Sequence, residues 1–538
     1  MIKAIVIFIG TCTLLFISNV NAQSPTIKWW YNTNDASYGQ SCAGDIDGDG
    51  KLELVFGCYR NDSLVYALNA ENGSLLWQYN THPASAEGCN DVAPIIYDVD
   101  IDGSLEVIVP SSCNPTTYCF NGKTGAVKWQ TTTRGSDSPP TIADVDNDGK
   151  PEILHGEFGG YVLCMNGENG SKSWEIPVDL DSWIQTAPTI VDLDNNGQLD
   201  FVVSTWNFNQ LDSVYAYRGD NHTLLWTYPI HDVIYHGTAV ADLDKDGKPE
   251  LMIGSYNDTL YCINGENGTT NWKYAASGGY IGAPASIGDI DNDGNCEVVF
   301  VSGHVVTALT NTGVHKWHYN IPGYHGAFRG VALADINNNA YPDVIFGTDH
   351  GKVIALNGNN GSLIWSLDLA EHYGNPDFGI DHAPLIADFD NDGSLEVFIV
   401  GGYSTYPAFQ NNYGRAYMID VGKGNGPDWL MFQRDIRRQS SLCDDTTSEV
   451  NELKPLNATS ITSFPNPSNT SITIVFSNPQ NENLTLAIYN ATGELVQKIS
   501  NLTGETIKVE NRNLKSGLYF FQLQNKNKMV GTGEFIIE

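Results

Sequence analysis

Eight short stretches of this chain concentrate carboxylates at one spacing, beginning with DIDGDGKLE at Asp45. In each, positions 1, 3, 5 and 9 carry side-chain oxygens. In the first four stretches they are Asp45, Asp47, Asp49 and Glu53; Asp98, Asp100, Asp102 and Glu106; Asp144, Asp146, Asp148 and Glu152; Asp192, Asp194, Asn196 and Asp200. In the last four they are Asp242, Asp244, Asp246 and Glu250; Asp289, Asp291, Asp293 and Glu297; Asp335, Asn337, Asn339 and Asp343; Asp388, Asp390, Asp392 and Glu396. These positions hold 29 of the 63 acidic residues. Anions so crowded need a counter-cation. In D-x-D-x-D-G-x-x-E the side chains at 1, 3 and 5 converge, glycine at 6 permits the turn, a carbonyl near 7 faces inward, and the acid at 9 closes the cage. Hard oxygen donors in this number suit Ca²⁺, at about 2.3–2.6 Å, better than Mg²⁺, which demands a tighter octahedron. The pattern predicts up to eight Ca²⁺. The seventh site is the weakest, because Asn337, Asn339 and Ala340 replace Asp, Asp and Gly.

Such cages need hairpins to hold them. The stretches recur every 46 to 53 residues, 49 on average, which is the length of a four-stranded propeller blade. An apolar run such as APTIVDL enters the acidic loop and a second such as LMIGSY leaves it. A third, TLYCIN, precedes an Asn-Gly turn, and a fourth, TTNWKY, carries a tryptophan. Trp77, Trp129, Trp174, Trp226, Trp272, Trp317 and Trp365 are expected to pack between blades. The eighth repeat lacks this fourth run, while IKWWY at Ile27–Tyr31 stands spare before the first. It is predicted to supply the missing strand and leave no open edge. The expected fold is all-β: an eight-bladed β-propeller over 23–443, or seven blades with a distorted eighth repeat. A polar linker over 444–460 and a small β-sandwich of alternating strands over 461–538 follow.

With the acidic loops on one face, the blade-to-blade loops and those between second and third strands fall on the other. These are rich in rings and cations. The candidate ligand-face residues are Arg134, Trp183, Trp206, His231, Tyr235, His236, Tyr324, His325, Arg329, His372, Tyr373 and His382. Two readings compete. One is a binding or adhesion module whose aromatic residues stack on a glycan or grip a protein. The other is a polysaccharide-cleaving enzyme using His, Arg or Tyr, although no nucleophile elbow or HExxH motif supports it.

The formal charge of −35 argues against a nucleic-acid partner, because phosphate binding relies on basic patches. The opening MIKAIVIFIGTCTLLFISNVNAQS has a lysine, an apolar core and an A-x-A-like site, so residues 1–22 read as a signal peptide. No second apolar run long enough to span a membrane follows it. Cys119, Cys164 and Cys262 occupy matched contexts as small buried strand residues, whereas Cys42, Cys58, Cys89 and Cys113 crowd the first two repeats, where one or two disulfides are expected.

The loops and blade grammar from Ile27 to Ser441 resemble the FG-GAP/VCBS repeat propellers, the calcium-loop type also found in integrin α-chain heads. The ALNAENGSLLWQY type of strand resembles the PQQ-like propeller repeat, and DWLMFQRDIRRQS (Asp428 to Ser440) looks like the segment that closes such rings. The adjacent cysteine pair of many quinoprotein alcohol dehydrogenases is missing. FPNPSNTSITI, LAIYNATGELV and LKSGLYFFQL resemble the type IX secretion sorting domain of Bacteroidota. That resemblance implies contact with the type IX machinery and a place outside a gram-negative cell.

Overall fold

The computed structural model describes residues 24–443, except 83–87, 91, 208–210 and 406, and short stretches between 462 and 537. The expected signal peptide and linker lie outside the described residues.

Among the described residues between Thr26 and Gly422, the chain forms eight four-stranded antiparallel sheets. In sheet 1 the strands Cys42–Gly44, Glu53–Gly57, Leu64–Asn69 and Leu75–Asn80 pair in chain order, and sheets 2 to 7 repeat this pattern. The acidic loop always joins the first strand to the second. Second strands such as Glu250–Gly254 are buried at every residue, so they read as unbroken apolar runs, whereas fourth strands such as Thr270–Ala275 expose alternate side chains. Sheet 8 is completed as predicted: Thr26–Thr33 pairs with Tyr413–Gly422, Trp30 opposite Tyr417.

One segment binds all eight sheets. The first strands are only three residues long, and residues 426–442 satisfy their inner edges. The N–H groups of Ala43, Ile142, Ile190, Val240, Ile287, Asp335 and Ile386 donate to the carbonyls of Leu430, Ile436, Arg437, Gln439, Ser440, Gly426 and Trp429, at 2.6–3.2 Å. Sheet 2 is reached through Arg438, whose guanidinium donates to the carbonyls of Pro94, Pro140 and Phe432 at 3.3, 3.0 and 2.6 Å. Arg438 is fully buried, and burial pushes its pKa down to about 10. The Phe432 ring lies 5.9 Å from its guanidinium, and Trp429 is buried on the same segment.

The tryptophans join sheet to sheet. The indole N–H groups of Trp29, Trp77, Trp129, Trp226, Trp272 and Trp317 donate to backbone carbonyls in the turn of the next sheet, at 2.6–3.0 Å. Each ring lies on that turn's glycine. A Cβ on Gly125, at φ +66°, would stand 2.6 Å from Trp77, and one on Gly170 would stand 2.3 Å from Trp129. The repeated glycine thus answers both a left-handed backbone and a ring above it.

Of the four cysteines crowded into the first two repeats, Cys89 and Cys113 form one disulfide, within the one or two expected, while Cys42 and Cys58 are buried in the core and are not disulfide-bonded. A second disulfide, Cys296–Cys443, ties the end of the axial segment to the loop of sheet 6 across 147 residues. Cys119, Cys164 and Cys262 are buried in third strands. In the C-terminal part, a three-stranded and a four-stranded sheet share a core that includes Ile472, Leu486, Phe521 and Phe535. No helix of the described residues is long and apolar enough to cross a membrane.

Candidate metal centres and ligand face

All eight acidic loops fold alike. The position-9 acid turns one oxygen onto the N–H of position 2, as in Ile46 to Glu53 at 2.9 Å and Leu243 to Glu250 at 2.8 Å. The position-1 aspartate accepts from the N–H of position 6, as in Gly103 to Asp98 at 2.9 Å and Gly197 to Asp192 at 2.7 Å. Position 4 sits in the left-handed region, held by Asn147, Asn195, Asn292, Asn338 and Asn391 among others. Ala340 keeps the seventh loop in the same shape at φ +71°, a strained angle for alanine.

The position-1 aspartates use both oxygens on backbone N–H groups, whereas several acids at positions 3 and 9 keep one oxygen unpaired. Glu53 Oε1 and the Oδ1 atoms of Asp100, Asp194, Asp200, Asp291, Asn337, Asp343 and Asp390 are buried without a hydrogen-bond partner among the described residues. Donor atoms of Asp45, Asp47 and Glu53, and of Asp98, Asp100 and Glu106, lie within 4.8 Å of one another. A buried, unpaired carboxylate oxygen is costly, and a hard cation is the natural partner for a group of them, so the residues fit Ca²⁺. Burial, and then the neighbouring aspartates, push Glu152 up to about 8, and burial and the aspartates likewise hold Glu53 and Glu250 at about 8. Glu106, Glu297 and Glu396, equally buried but each beside a lysine, rise only to about 7.

On the opposite face a cavity of about 700 Å³ opens at the axis. Tyr38, Tyr59, Phe158, Trp183, Tyr235 and Phe328 supply rings to its wall, Arg60 and Arg329 cations, Asp137 and Asp381 carboxyls, and Ser404 and Thr405 hydroxyls. The Cys89–Cys113 disulfide forms part of the wall. Trp183 packs against Phe158 at 4.7 Å and Trp206 at 5.1 Å between ring centroids, so the rings form a continuous shelf. Burial raises both Asp137 and Asp381 above the ordinary aspartate value, with the charge of Arg329 working against the rise.

Of the predicted ligand-face residues, Trp183, Tyr235 and Arg329 line this cavity and Trp206 backs it. His236 lies behind the wall, bonded to the Gly282 carbonyl and to Arg329, and His382 is buried beneath it. The others do not converge there. Arg134 pairs with Glu157 and Glu175 and lies over the Tyr161 ring at 3.9 Å. His231 and Tyr324 are exposed, and His325 stacks on His350 beside Asp349. His372 and Tyr373 belong to a short helix, Leu369–Tyr373, where they pack against Tyr417 and Tyr413. Sequence reasoning missed Tyr38, Asp137 and Phe328, although a signal existed. Like Tyr235 and Asp381, each stands four residues before the start of a first strand.

Residues 211–434 match the family described as outer membrane protein assembly factor BamB, and residues 45–109 match the FG-GAP-like repeat. Residues 462–538 match the secretion system C-terminal sorting domain. Over 258 residues the chain is 25% identical to rhamnogalacturonan exolyase YesX of Bacillus subtilis (strain 168), covering 42% of this chain and 38% of that protein. It therefore spans well under half the length of that curated relative. Among solved structures it is similar to the V. cholerae biofilm matrix protein Bap1, with TM-score 0.56 and 15% identity over 76% of this chain and 94% of that one. The quinohemoprotein alcohol dehydrogenase from Comamonas testosteroni gives TM-score 0.52 and 13% identity over 76% and 78%. At such identities the likeness concerns the fold. The chain combines FG-GAP-like and PQQ-like/BamB propeller repeats with a type IX secretion sorting domain, as befits a secreted or cell-surface protein.

Proposed function

We propose that this is a calcium-bound, eight-bladed propeller on or outside a Bacteroidota-type cell, which captures a glycan in its axial cavity. The cavity carries the reading: a wide, concave site with a shelf of aromatic rings and a few convergent polar groups is what sugar rings need for stacking and hydrogen bonding. Eight blades are supported by the eight sheets gathered on one axial segment. Calcium is supported by the buried, unpartnered Glu53 Oε1 and by the donor atoms of Asp45, Asp47 and Glu53, and of Asp144, Asp146 and Asp148, which lie within 4.8 Å of one another.

A glycan array probed with the full mature chain in calcium is expected to give retention without product. Tyr235→Ala and Arg329→Ala should weaken it at least tenfold, with Tyr324→Ala, outside the cavity, as the unaffected control. The similarity to a rhamnogalacturonan exolyase favours one second reading, a polysaccharide lyase in which Asp137 or Asp381 exchanges a proton. New ultraviolet-absorbing unsaturated ends released from uronate-rich polysaccharides would establish it and overturn the first. Chelation should lower the melting temperature by roughly ten degrees or more, since each saturated site contributes about 2–3 kcal/mol at a hundredfold excess over Kd. An unchanged melt in EDTA would remove calcium from the proposal.

A further inference from the structure

Every second acidic loop already holds a cation of the chain's own. Lys128 Nζ stands 2.5 Å from Asp100 and 2.9 Å from Glu106 in sheet 2. Lys28 Nζ makes the same contacts in sheet 8, 2.5 Å from Asp390 and 2.9 Å from Glu396. In sheet 6, Lys316 pairs with Asp291 and, at 2.9 Å, with Glu297. Sheet 4 uses Arg218 instead, 2.5 Å from Asp194 and 3.8 Å from Asp200. Among the described residues no lysine or arginine pairs with the cage acids of sheets 1, 3, 5 and 7. There the loops' own Lys51, Lys150 and Lys248 reach outward to Glu71, Glu168 and Glu266.

A recurrent bulge explains the placement. In every sheet the fourth strand carries one unpaired residue immediately before its tryptophan. In sheet 2, for example, Cys119 pairs with Trp129 and Phe120 with Val127, which leaves Lys128 out. A bulge re-aims one side chain, and here it aims at the acidic loop of its own sheet. The bulged residue is Lys28, Lys128 or Lys316 in sheets 8, 2 and 6. In sheets 1, 3, 4, 5 and 7 it is Leu76, Ser173, Leu225, Asn271 and Ile364, none of them cationic.

The ammonium groups bond the position-3 and position-9 acids, the same groups a calcium ion would take at about 2.3–2.6 Å. The two cations exclude each other. We infer that the loops of sheets 2, 4, 6 and 8 are closed by built-in lysine or arginine, and that calcium is confined to sheets 1, 3 and 5, with the asparagine-substituted loop of sheet 7 as a weak fourth. This rests on the calcium reading above.

The test is the calcium content of the full mature chain, measured by plasma mass spectrometry after equilibrium dialysis. Three ions per chain are expected, or four if Asn337 and Asn339 suffice. Lys128→Met should add one ion by vacating its loop, and Ser173→Lys should displace one from sheet 3. A content of seven or eight would overturn the lysine assignment while leaving calcium in place. A content of zero would overturn the calcium reading and this inference with it. If the wild type holds three or four but neither variant changes the count, the bulge residue does not decide occupancy and the inference falls. Both variants are weighed in saturating calcium, with the melting curve confirming a folded chain.

Discussion

His155, His236 and His382 are closed off from solvent, and burial pushes each imidazole below its ordinary pKa. The charge of Arg329 pushes His236 and His382 further, His382 to about 3. The folded state therefore holds them neutral, while the unfolded chain protonates them near pH 6.5. Their stabilising contribution is complete above that value and is lost as the pH falls toward the folded-state values. For His382 alone, acidification from pH 6.5 to 5 costs about 2 kcal/mol. In saturating calcium, melts at pH 7 and pH 5 should differ by several degrees in the wild type and by clearly less in His382→Asn. Equal slopes would show that the imidazole is not held neutral. His382 was legible as a loop histidine before an inner strand. Its burial was not, because nothing in DHAP distinguishes a residue facing the cavity from one folded beneath its wall.

At the scale of the element, the unit that repeats is a hairpin pair whose turn glycine receives the preceding sheet's tryptophan. Gly125→Ala should cost about 2–4 kcal/mol, because the methyl group meets both a left-handed backbone and the Trp77 ring. Gly374→Ala, at φ +86° with no atom within 4 Å, meets only the first obstacle and should cost about 1 kcal/mol. Thermal melts separate the two; equal losses would remove the ring from the account. Most of this element was legible because the repeats can be overlaid, so the acidic loop stands out in eight copies, the tryptophan in seven and the turn glycine in six. The bulge was not, although Lys-Trp occurs at 28–29, 128–129 and 316–317. A bulge flips the alternation beyond it, but in a six-residue strand too few positions follow for the change to show in the sequence, and only the backbone register reveals it. The Cys296–Cys443 bond escaped for a different reason: its partners lie 147 residues apart, and no local pattern links them.

At the scale of the molecule, the segment after the last sheet is the hub. Arg438 bonds carbonyls beside the first strands of sheets 2 and 3 as well as Phe432 on its own segment. Arg438→Ala would leave these buried acceptors unpaired and a cavity at the axis, so it should cost about 3 kcal/mol or more. Arg438→Lys, with one compact ammonium, should recover only part of that. Unchanged melts in both variants would mean that the hub stabilises by shape alone. Both ends of the propeller are thus fasteners: Thr26–Thr33 waits for Tyr413–Gly422, and the first strands wait for residues 426–442. A chain that emerges from one end to the other can neither seal its perimeter nor fill its middle until its latest part arrives. Until then the three-residue inner edges stay unsatisfied, so closure of the ring depends on the propeller residues synthesised last.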